Sequence, residues 1–339
     1  MIKICSYNIE WFTKLFDANN NFITSSDPAK QAEITERLEA IAEVLARIDA
    51  DLVGIVEAPN TTTTTGARST VDALELFASH FGLRCNKAII GFPSPGQQEI
   101  AILFDPAKVE VEHDPGGTAT LKNPPFTEQF QIDTDEDGIK ELYKHYRPPL
   151  EAKVTKLDDN TSFKLMVVHA KSKGIFSNNE RLHWEREAQR NRRKLFAECT
   201  SIRRRVDEWL KNGEGVVVMG DINDGPGMDF TEFQFARSAV EIVIGDIYEV
   251  DSLLRSVASR PKWGNYGWEP STASFVDSFT GKRVNALIDH ILFSQQIDMV
   301  PDSGRIWNPY DDDQLANDSA IKAALRKASD HYPVELTIR

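Results

Sequence analysis

Hydrophobic and polar positions along the chain follow two different periods, and the switches between them mark out the elements. Ile2 to Ile9 is a short apolar run that reads as a strand. From Pro28 to Ile48, residues Ile34, Leu38, Ile41, Leu45 and Ile48 recur at spacings of three and four, the stripe of an amphipathic helix. Asp51 to Glu57 then reads as a buried strand, Val71 to Phe81 as a second helix, and Ala88 to Gly91 and Ile100 to Phe104 as further strands. Two successive strands, Leu150 to Leu157 and Phe163 to His169, precede a long helix over Asn179 to Lys211. Val216 to Met219 is a continuous apolar strand ending in Gly220-Asp221. Val284 to Phe293 and Val334 to Ile338 are the last strands, with one helix, Ser319 to Arg326, between them. Because several strands follow one another without an intervening helix, the pattern predicts a layered α/β fold with mixed rather than purely parallel sheets. There is no internal repeat and nothing that resembles an interdomain linker. The expectation is therefore one domain over 1–339, with surface elaborations near 60–69, around the threonine run Thr61 to Thr65, and over the polar, Asp-rich stretch 301–328.

Charge narrows the function. The 339 residues carry 39 Lys+Arg against 52 Asp+Glu, a net charge of −13, which excludes a protein that coats duplex nucleic acid through an overall cationic surface. Any polyanion has to be met locally. The one basic stretch is Lys171 to Lys211, with twelve Lys/Arg and six Asp/Glu, most of which reads as a solvated helix face. Its beginning, near Lys171 and Lys173, is where a backbone phosphate contact is expected. Cys5, Cys85 and Cys199 are odd in number and far apart, which suggests neither a disulfide framework nor a thiolate zinc site and fits a reducing compartment. The amino terminus lacks the features of a secretory signal, and no run approaches the ~18 apolar residues of a membrane span. The sequence reads as soluble and cytoplasmic with no membrane association, although a secreted protein whose signal had been removed would read the same way.

Candidate chemistry gathers at strand ends. Asn8, Glu10, Glu57, His169, Asp221, Asn223, Asp330 and His331 all lie at or just beyond the end of an apolar run, where side chains converge in a cleft instead of entering the core. Oxygen ligands of this kind suit Mg²⁺, Mn²⁺ or Ca²⁺. Taken alone, Asp221 in Gly220-Asp221-Ile222-Asn223-Asp224-Gly225 also fits simple turn chemistry. Asp289 is more informative. The period of two places it on the same face as Leu287, Ile291 and Phe293, where a carboxylate is unfavourable unless it is paired, as it would be when orienting a histidine. A solvent-exposed strand end is the alternative. Asp133-Thr134-Asp135-Glu136-Asp137-Gly138 copies the start of a calcium loop, but Lys144 stands at the twelfth position, so an acidic hairpin turn is the better reading.

Five segments together resemble the endonuclease/exonuclease/phosphatase superfamily of metal-dependent phosphoesterases. They are Lys3 to Asn8, Ile55-Val56-Glu57, Gly220-Asp221-Ile222-Asn223, Ile288-Asp289-His290-Ile291-Leu292 and Ser329-Asp330-His331-Tyr332-Pro333-Val334, in the family's order. The resemblance implies a four-layer α-β-β-α sandwich of two mixed β-sheets flanked by helices. It implies Glu57 as the principal metal carboxylate with Asn8 and Asp330 near the same ion, and Asp221 and Asn223 positioning the attacking water and the phosphate oxygens. His331 is implied as general base or orienter of that water, with Asp289 as its partner. The glutamine that commonly precedes the metal glutamate is Val56 here. Val167-Val168-His169-Ala170-Lys171-Ser172-Lys173 resembles the histidine-bearing strand end of pancreatic-type deoxyribonucleases and similar bacterial nucleases. That likeness implies Glu99 as the partner of His169 and Arg147 as a phosphate contact, with Lys171 and Lys173 beside it.

The expected function is a divalent-metal-dependent phosphodiester hydrolase using Mg²⁺, with Mn²⁺ or Ca²⁺ as alternatives. It would be a nuclease cleaving DNA or RNA by metal- and His-activated water, with nucleic acid as substrate and no obligatory protein partner. A small-molecule or lipid phosphatase or phosphodiesterase of the same superfamily is the enzymatic alternative, and a non-catalytic nucleic-acid-binding module the alternative of another class. Trp263, Tyr266 and Trp268 form an aromatic cluster that fits core packing, base stacking or an exposed hairpin.

Overall fold

A computed structural model describes residues 1–62, 68–117, 124–135, 137–226, 230–235, 237–259 and 270–339. The first elements are β1 (Ile2–Asn8), α1 (Pro28–Ile48), β2 (Leu52–Ala58), α2 (Thr70–His80), β3 (Lys87–Ile90), β4 (Glu99–Phe104) and β5 (Val109–His113). A hairpin of β6 (Phe130–Ile132) and β7 (Glu141–Tyr143) precedes β8 (Leu150–Lys156) and β9 (Ser162–His169). Next come α3 (Asn178–Leu182), α4 (Trp184–Lys211), β10 (Val216–Asp221), α5 (Phe230–Phe235), α6 (Ala239–Ile244) and β11 (Arg255–Ser256). The chain closes with β12 (Ala273–Val276), β13 (Arg283–Ala286), β14 (Asp289–Phe293), β15 (Arg305–Ile306), α7 (Asp313–Asn317), α8 (Ser319–Ala328) and β16 (Val334–Ile338).

Two six-stranded mixed sheets form the centre, ordered β15-β16-β1-β2-β4-β3 and β11-β14-β10-β9-β8-β5. Alternation along each strand sends one face inward and one outward. Ile4, Leu52, Val56, Ile102, Leu165, Val167, Met219 and Ile291 fill the space between the sheets. On the outer face of the first sheet, Tyr7, Val53 and Ile55 pack under α1, α2 and α8. On the outer face of the second, Met166, Val168 and Val218 pack under α4 and α6. The four layers expected from the resemblance are therefore present. Residues 301–328, expected as a surface elaboration, supply α8, whose buried Ile321, Leu325 and Ala328 belong to the outer helical layer. The elaboration near 60–69 lies largely, and the Trp263, Tyr266 and Trp268 cluster entirely, outside the described residues.

Two expected elements are divided. The helix over 179–211 breaks at His183, whose φ −121, ψ 36 is not helical, after a capping box between Ser177 and Glu180 starts the short α3. The strand over 284–293 is two strands in different sheets, because Thr272 Oγ1 accepts the backbone amides of Ile288 and Asp289, each at 2.9 Å, and turns the chain between them. The period of two that placed Asp289 with Ile291 and Phe293 still holds within β14, and all three are buried. The acidic run 133–138 joins β6 to β7, with Asp133 Oδ2 accepting from Gly138 N at 2.9 Å. No described helix is long and apolar enough to cross a membrane, and the three cysteines are buried and unpaired.

Gly54 in β2 faces the opposite sheet with no room for a side chain. A Cβ there would lie 2.5 Å from Met219 Cε and 3.1 Å from Val167 Cγ2 on the opposite sheet. A Gly54→Val variant is expected to lose about 1–3 kcal/mol of stability through overpacking, read as a lower urea midpoint with unchanged slope.

Candidate active site

Parallel pairing of β1 with β2 and of β9 with β10 brings four carboxyl-terminal strand ends to one edge of the sandwich. Asn8, Glu57, His169 and Asp221 stand at those ends. The antiparallel neighbours β14 and β16 begin at the same edge, which adds Asp289, Asp330 and His331. The local backbone is adapted to this. Gly220 has φ +132, and a Cβ there would sit 2.1 Å from the Val168 carbonyl of β9, so only glycine fits where β10 delivers Asp221. Glu57 and Asn223 both hold left-handed backbone at φ +59 and +56, and Glu57 lies in the register shift of β2 against β4 between Val56 and Ala58. Such conformations and bulges re-aim side chains at functional edges.

Hydrogen bonds and close polar contacts gather these side chains into one cluster. His331 Nδ1 lies 2.7 Å from Asp289 Oδ2. His331 Nε2 lies 3.4 Å from Asn8 Nδ2 and 3.7 Å from Asp330 Oδ1. Asn8 Nδ2 donates to Asp221 Oδ2 at 3.1 Å, and His169 Nε2 is 3.8 Å from the same oxygen. Asp221 Oδ1 accepts the Asn223 amide at 2.8 Å, and Asn223 Nδ2 donates to the Ala170 carbonyl at 3.1 Å. Asp221, Asp289 and His331 offer ligand atoms within 4.8 Å of one another.

Burial and like charges set the protonation. Burial raises Asp221 well above the usual carboxylate range, and the neighbouring Asp289 adds to this. Burial alone would depress His331, but Asp289, through charge and hydrogen bond, and Asp221 outweigh it and lift the imidazole to about 10. Asp330 is pushed up to about 6 by burial, against the pull of His331 and with repulsion from Glu10, Glu57 and Asp289. Burial, reinforced by Arg147 and His331, drives His169 well below 6.5, so its ring is neutral.

A crowd of repelling carboxylates is a place for a cation. Buried Asn8 Oδ1 and Asp330 Oδ1 have no hydrogen-bond partner, and Glu57 Oε2 is held by the Trp11 amide at 2.8 Å. These are hard oxygen donors of the kind that suits Mg²⁺ or Mn²⁺. By the chemistry of their donor atoms Asn8, Glu57 and Asp330 suit such a cation, and Asp330 feels the charge of Glu57.

Three expectations need correction. No hydrogen bond joins His169 to Glu99: Glu99 Oε2 accepts the Ser94 amide at 2.9 Å, while His169 Nδ1 is buried without a partner. Burial pushes Glu99 up to about 7, against the backbone amides of Ser94 and Thr61. Arg147 is engaged inside the protein, where Nε and a terminal nitrogen donate to the His169 and Ala170 carbonyls at 3.2 and 2.9 Å and the other terminal nitrogen to Gln98 Oε1 at 2.6 Å. It fastens the end of β9. Lys173 Nζ is bound to Asp224 and Glu232, each at 2.8 Å, so it ties the segment after His169 to the segment after Asp221 instead of reaching a phosphate. Lys171 remains a candidate: Nζ donates only to the neighbouring Ser172 carbonyl among the described contacts, and burial together with Arg147 lowers the amine to about 8, against the pull of Glu198.

Several supports were not legible as functional. Ser329 Oγ donates to the Asn8 carbonyl at 2.8 Å and accepts the His331 amide at 3.1 Å, joining the two segments. Glu198 Oε2 accepts the Lys171 amide at 2.8 Å, and Thr272 fixes Asp289. Only Ser329 stood inside a motif, whereas Glu198 and Thr272 act through folding alone.

The model of the endonuclease/exonuclease/phosphatase family matches residues 5–331. No curated protein matches the chain. Among solved structures, D. rerio TDP2 complexed with single strand DNA product is 14% identical, with 100% of this chain and 98% of that chain covered and a TM-score of 0.50. A mannosyl-6-phosphatase from Bacteroides thetaiotaomicron VPI-5482 is 13% identical, with 100% of both chains covered and a TM-score of 0.47. TDP2 from C. elegans is 12% identical over 99% of this chain and 74% of that one, with a TM-score of 0.48. At these identities the likeness is one of fold.

Proposed function

The chain belongs to the endonuclease/exonuclease/phosphatase family of metal-dependent phosphoesterases, and from that premise we propose that it is a nuclease, hydrolysing phosphodiesters of nucleic acid. The observation that carries this is the gathering at one edge of Asn8, Asp221, His169 and the His331–Asp289 pair, with hydrogen bonds from Asn8 to Asp221 and between His331 and Asp289. Asp221 is raised toward neutrality by burial and by Asp289, which suits it to accept a proton from an attacking water. The hydrogen bonds from Asn8 and from the Asn223 amide fix its two oxygens. Asp289 holds His331 in its charged form with Nε2 toward the cleft, where an N–H donor meets the negative charge that develops on phosphoryl oxygens. Neutral His169 adds a second donor on the far side of Asp221. A divalent cation, with Mg²⁺ as the proposed ion, would be held by Asn8, Glu57 and Asp330, offset their crowded charge and polarise a phosphoryl oxygen.

Plasmid, single-stranded DNA, RNA, inositol phosphates, a sugar phosphomonoester and sphingomyelin, each with Mg²⁺, form the test. Cleavage confined to the nucleic acids is the expected outcome, and turnover of a monoester or lipid alone would overturn the proposal. Lys171 supplies a separate check. Its ammonium is charged below about 8 and neutral above. KM for a nucleic-acid substrate is therefore expected to rise as pH passes 8, and the Lys171→Arg variant, which stays charged, is expected to lack that rise.

A further inference from the structure

Two elements tied to the candidate active site carry aromatic side chains facing solvent. The β12–β13 hairpin is attached at its base to the catalytic segment: Ala273 bridges His331, and Ser274 N donates to the Asp330 carbonyl at 2.9 Å. The turn at its other end is held by the segment that leaves His169. There Ser278 Oγ donates to the Ile175 carbonyl at 2.8 Å, and Arg181 donates to the Ser278 carbonyl. One continuous rim thus runs from His169 to His331. On it Phe176 is 62% exposed, Leu182 76%, Trp184 39% and Phe279 37%. The Trp184 and Phe279 rings, one from each element, lie 6.0 Å apart at 32°. The break at His183 creates this contact, because it starts α4 at Trp184 instead of continuing α3.

Scattered exposed hydrophobics are ordinary, whereas two exposed aromatic rings in contact across two elements beside a candidate active site are not. Around this group the carboxylates Glu180, Glu185 and Asp277 are outnumbered by exposed cations. Arg181, Arg186, Arg190, Lys282 and Arg283 are exposed on the same two elements, although Arg186 and Arg190 also pair with buried Glu187. Flat aromatic faces flanked by guanidinium and ammonium groups match an unpaired base on a phosphate backbone: the face stacks and the cations meet phosphates. A base inside a duplex is already stacked on both sides and offers no face.

We propose that Trp184 and Phe279 form a stacking platform for an unpaired base of single-stranded nucleic acid, beside the candidate active site. This rests on the nuclease reading above and adds the strandedness of its substrate. Phe279 lies in the turn of the hairpin, at the opposite end from the Ser274–Asp330 contact.

The test compares wild type with a Trp184→Ala/Phe279→Ala variant on a single-stranded oligonucleotide, an abasic strand of the same length, and bis(p-nitrophenyl) phosphate. The expected result is a KM raised about tenfold or more on the base-bearing strand alone. A Trp184→Tyr variant, which keeps a ring, is expected to retain wild-type KM. An unchanged KM on the base-bearing strand, or an equal loss on all three substrates, would overturn the platform while leaving the nuclease reading in place. Wild-type turnover of bis(p-nitrophenyl) phosphate with no cleavage of any oligonucleotide would instead remove the nuclease reading, and the platform with it.

Discussion

His331→Ala is expected to lower kcat by about 10²- to 10⁴-fold on every substrate the enzyme accepts, the range a positioned acid or base contributes. KM should change little, because the imidazole acts on charge that develops during reaction rather than on the bound ground state. Asp289→Asn should fall comparably, since it leaves the 2.7 Å contact in place but removes the charge that keeps His331 protonated. The double variant is expected to be little worse than either single one, because the pair acts as a unit. Stability gives a second readout. His331 has a folded pKa of about 10 against an ordinary 6.5, so its contribution is fully present below 6.5 and is lost as pH rises through 10. Urea unfolding of the wild type should therefore weaken across that interval, and His331→Ala should lack this component. His331→Gln, which can still donate to Asp289, separates loss of chemistry from loss of fold. Wild-type turnover by either well-folded His331 variant would defeat the assignment.

Removal of divalent cations is expected to bring hydrolysis to background, and added Mg²⁺ or Mn²⁺ to restore it. The physical cause is the crowding at Asp330, raised to about 6 first by burial and then, against the pull of His331, by the charges of Glu10, Glu57 and Asp289, which a cation would offset. A cation that binds only the folded protein also stabilises it, by about 2.7 kcal/mol at a hundred times its dissociation constant. Mg²⁺ should thus raise the melting temperature of wild type whether or not a substrate is present. Glu57→Gln removes one negative charge from the donor set, so that thermal shift should require at least about tenfold more Mg²⁺, in parallel with the activity. A melting temperature indifferent to Mg²⁺ and Mn²⁺, together with activity in excess chelator, would count against the donor set.

Much of this site is visible in the sequence because the fold is simple at that edge. Asn8, Glu57, His169 and Asp221 stand where apolar strand runs stop, and a run that stops is legible from hydropathy alone. Asp289 was found from a period of two that still holds in β14, although the strand it was read from proved to be two. What stayed hidden depends on partners far apart in sequence. Lys173 looked like a free cation beside His169 until folding brought Asp224 and Glu232 to it from 51 and 59 residues away. Arg147 was likewise legible as a charge but not as the clamp on the His169 and Ala170 carbonyls. Spacing shows which residues reach an edge. It does not show which charges neutralise one another there.

The His331–Asp289 contact joins different sheets, with Asp289 opening β14 in one and His331 standing three residues before β16 in the other. Asn8 and Asp221 are likewise from opposite sheets. Neither layer holds a complete set of reacting groups, so catalytic competence is a property of their docking. A partly expanded state that kept its strands and helices but let the two layers slide would retain its far-ultraviolet dichroism and lose its chemistry. Because the first sheet draws its strands from both ends of the chain and the second from the middle, turnover is a sensitive reporter of how the two layers of this sandwich come together.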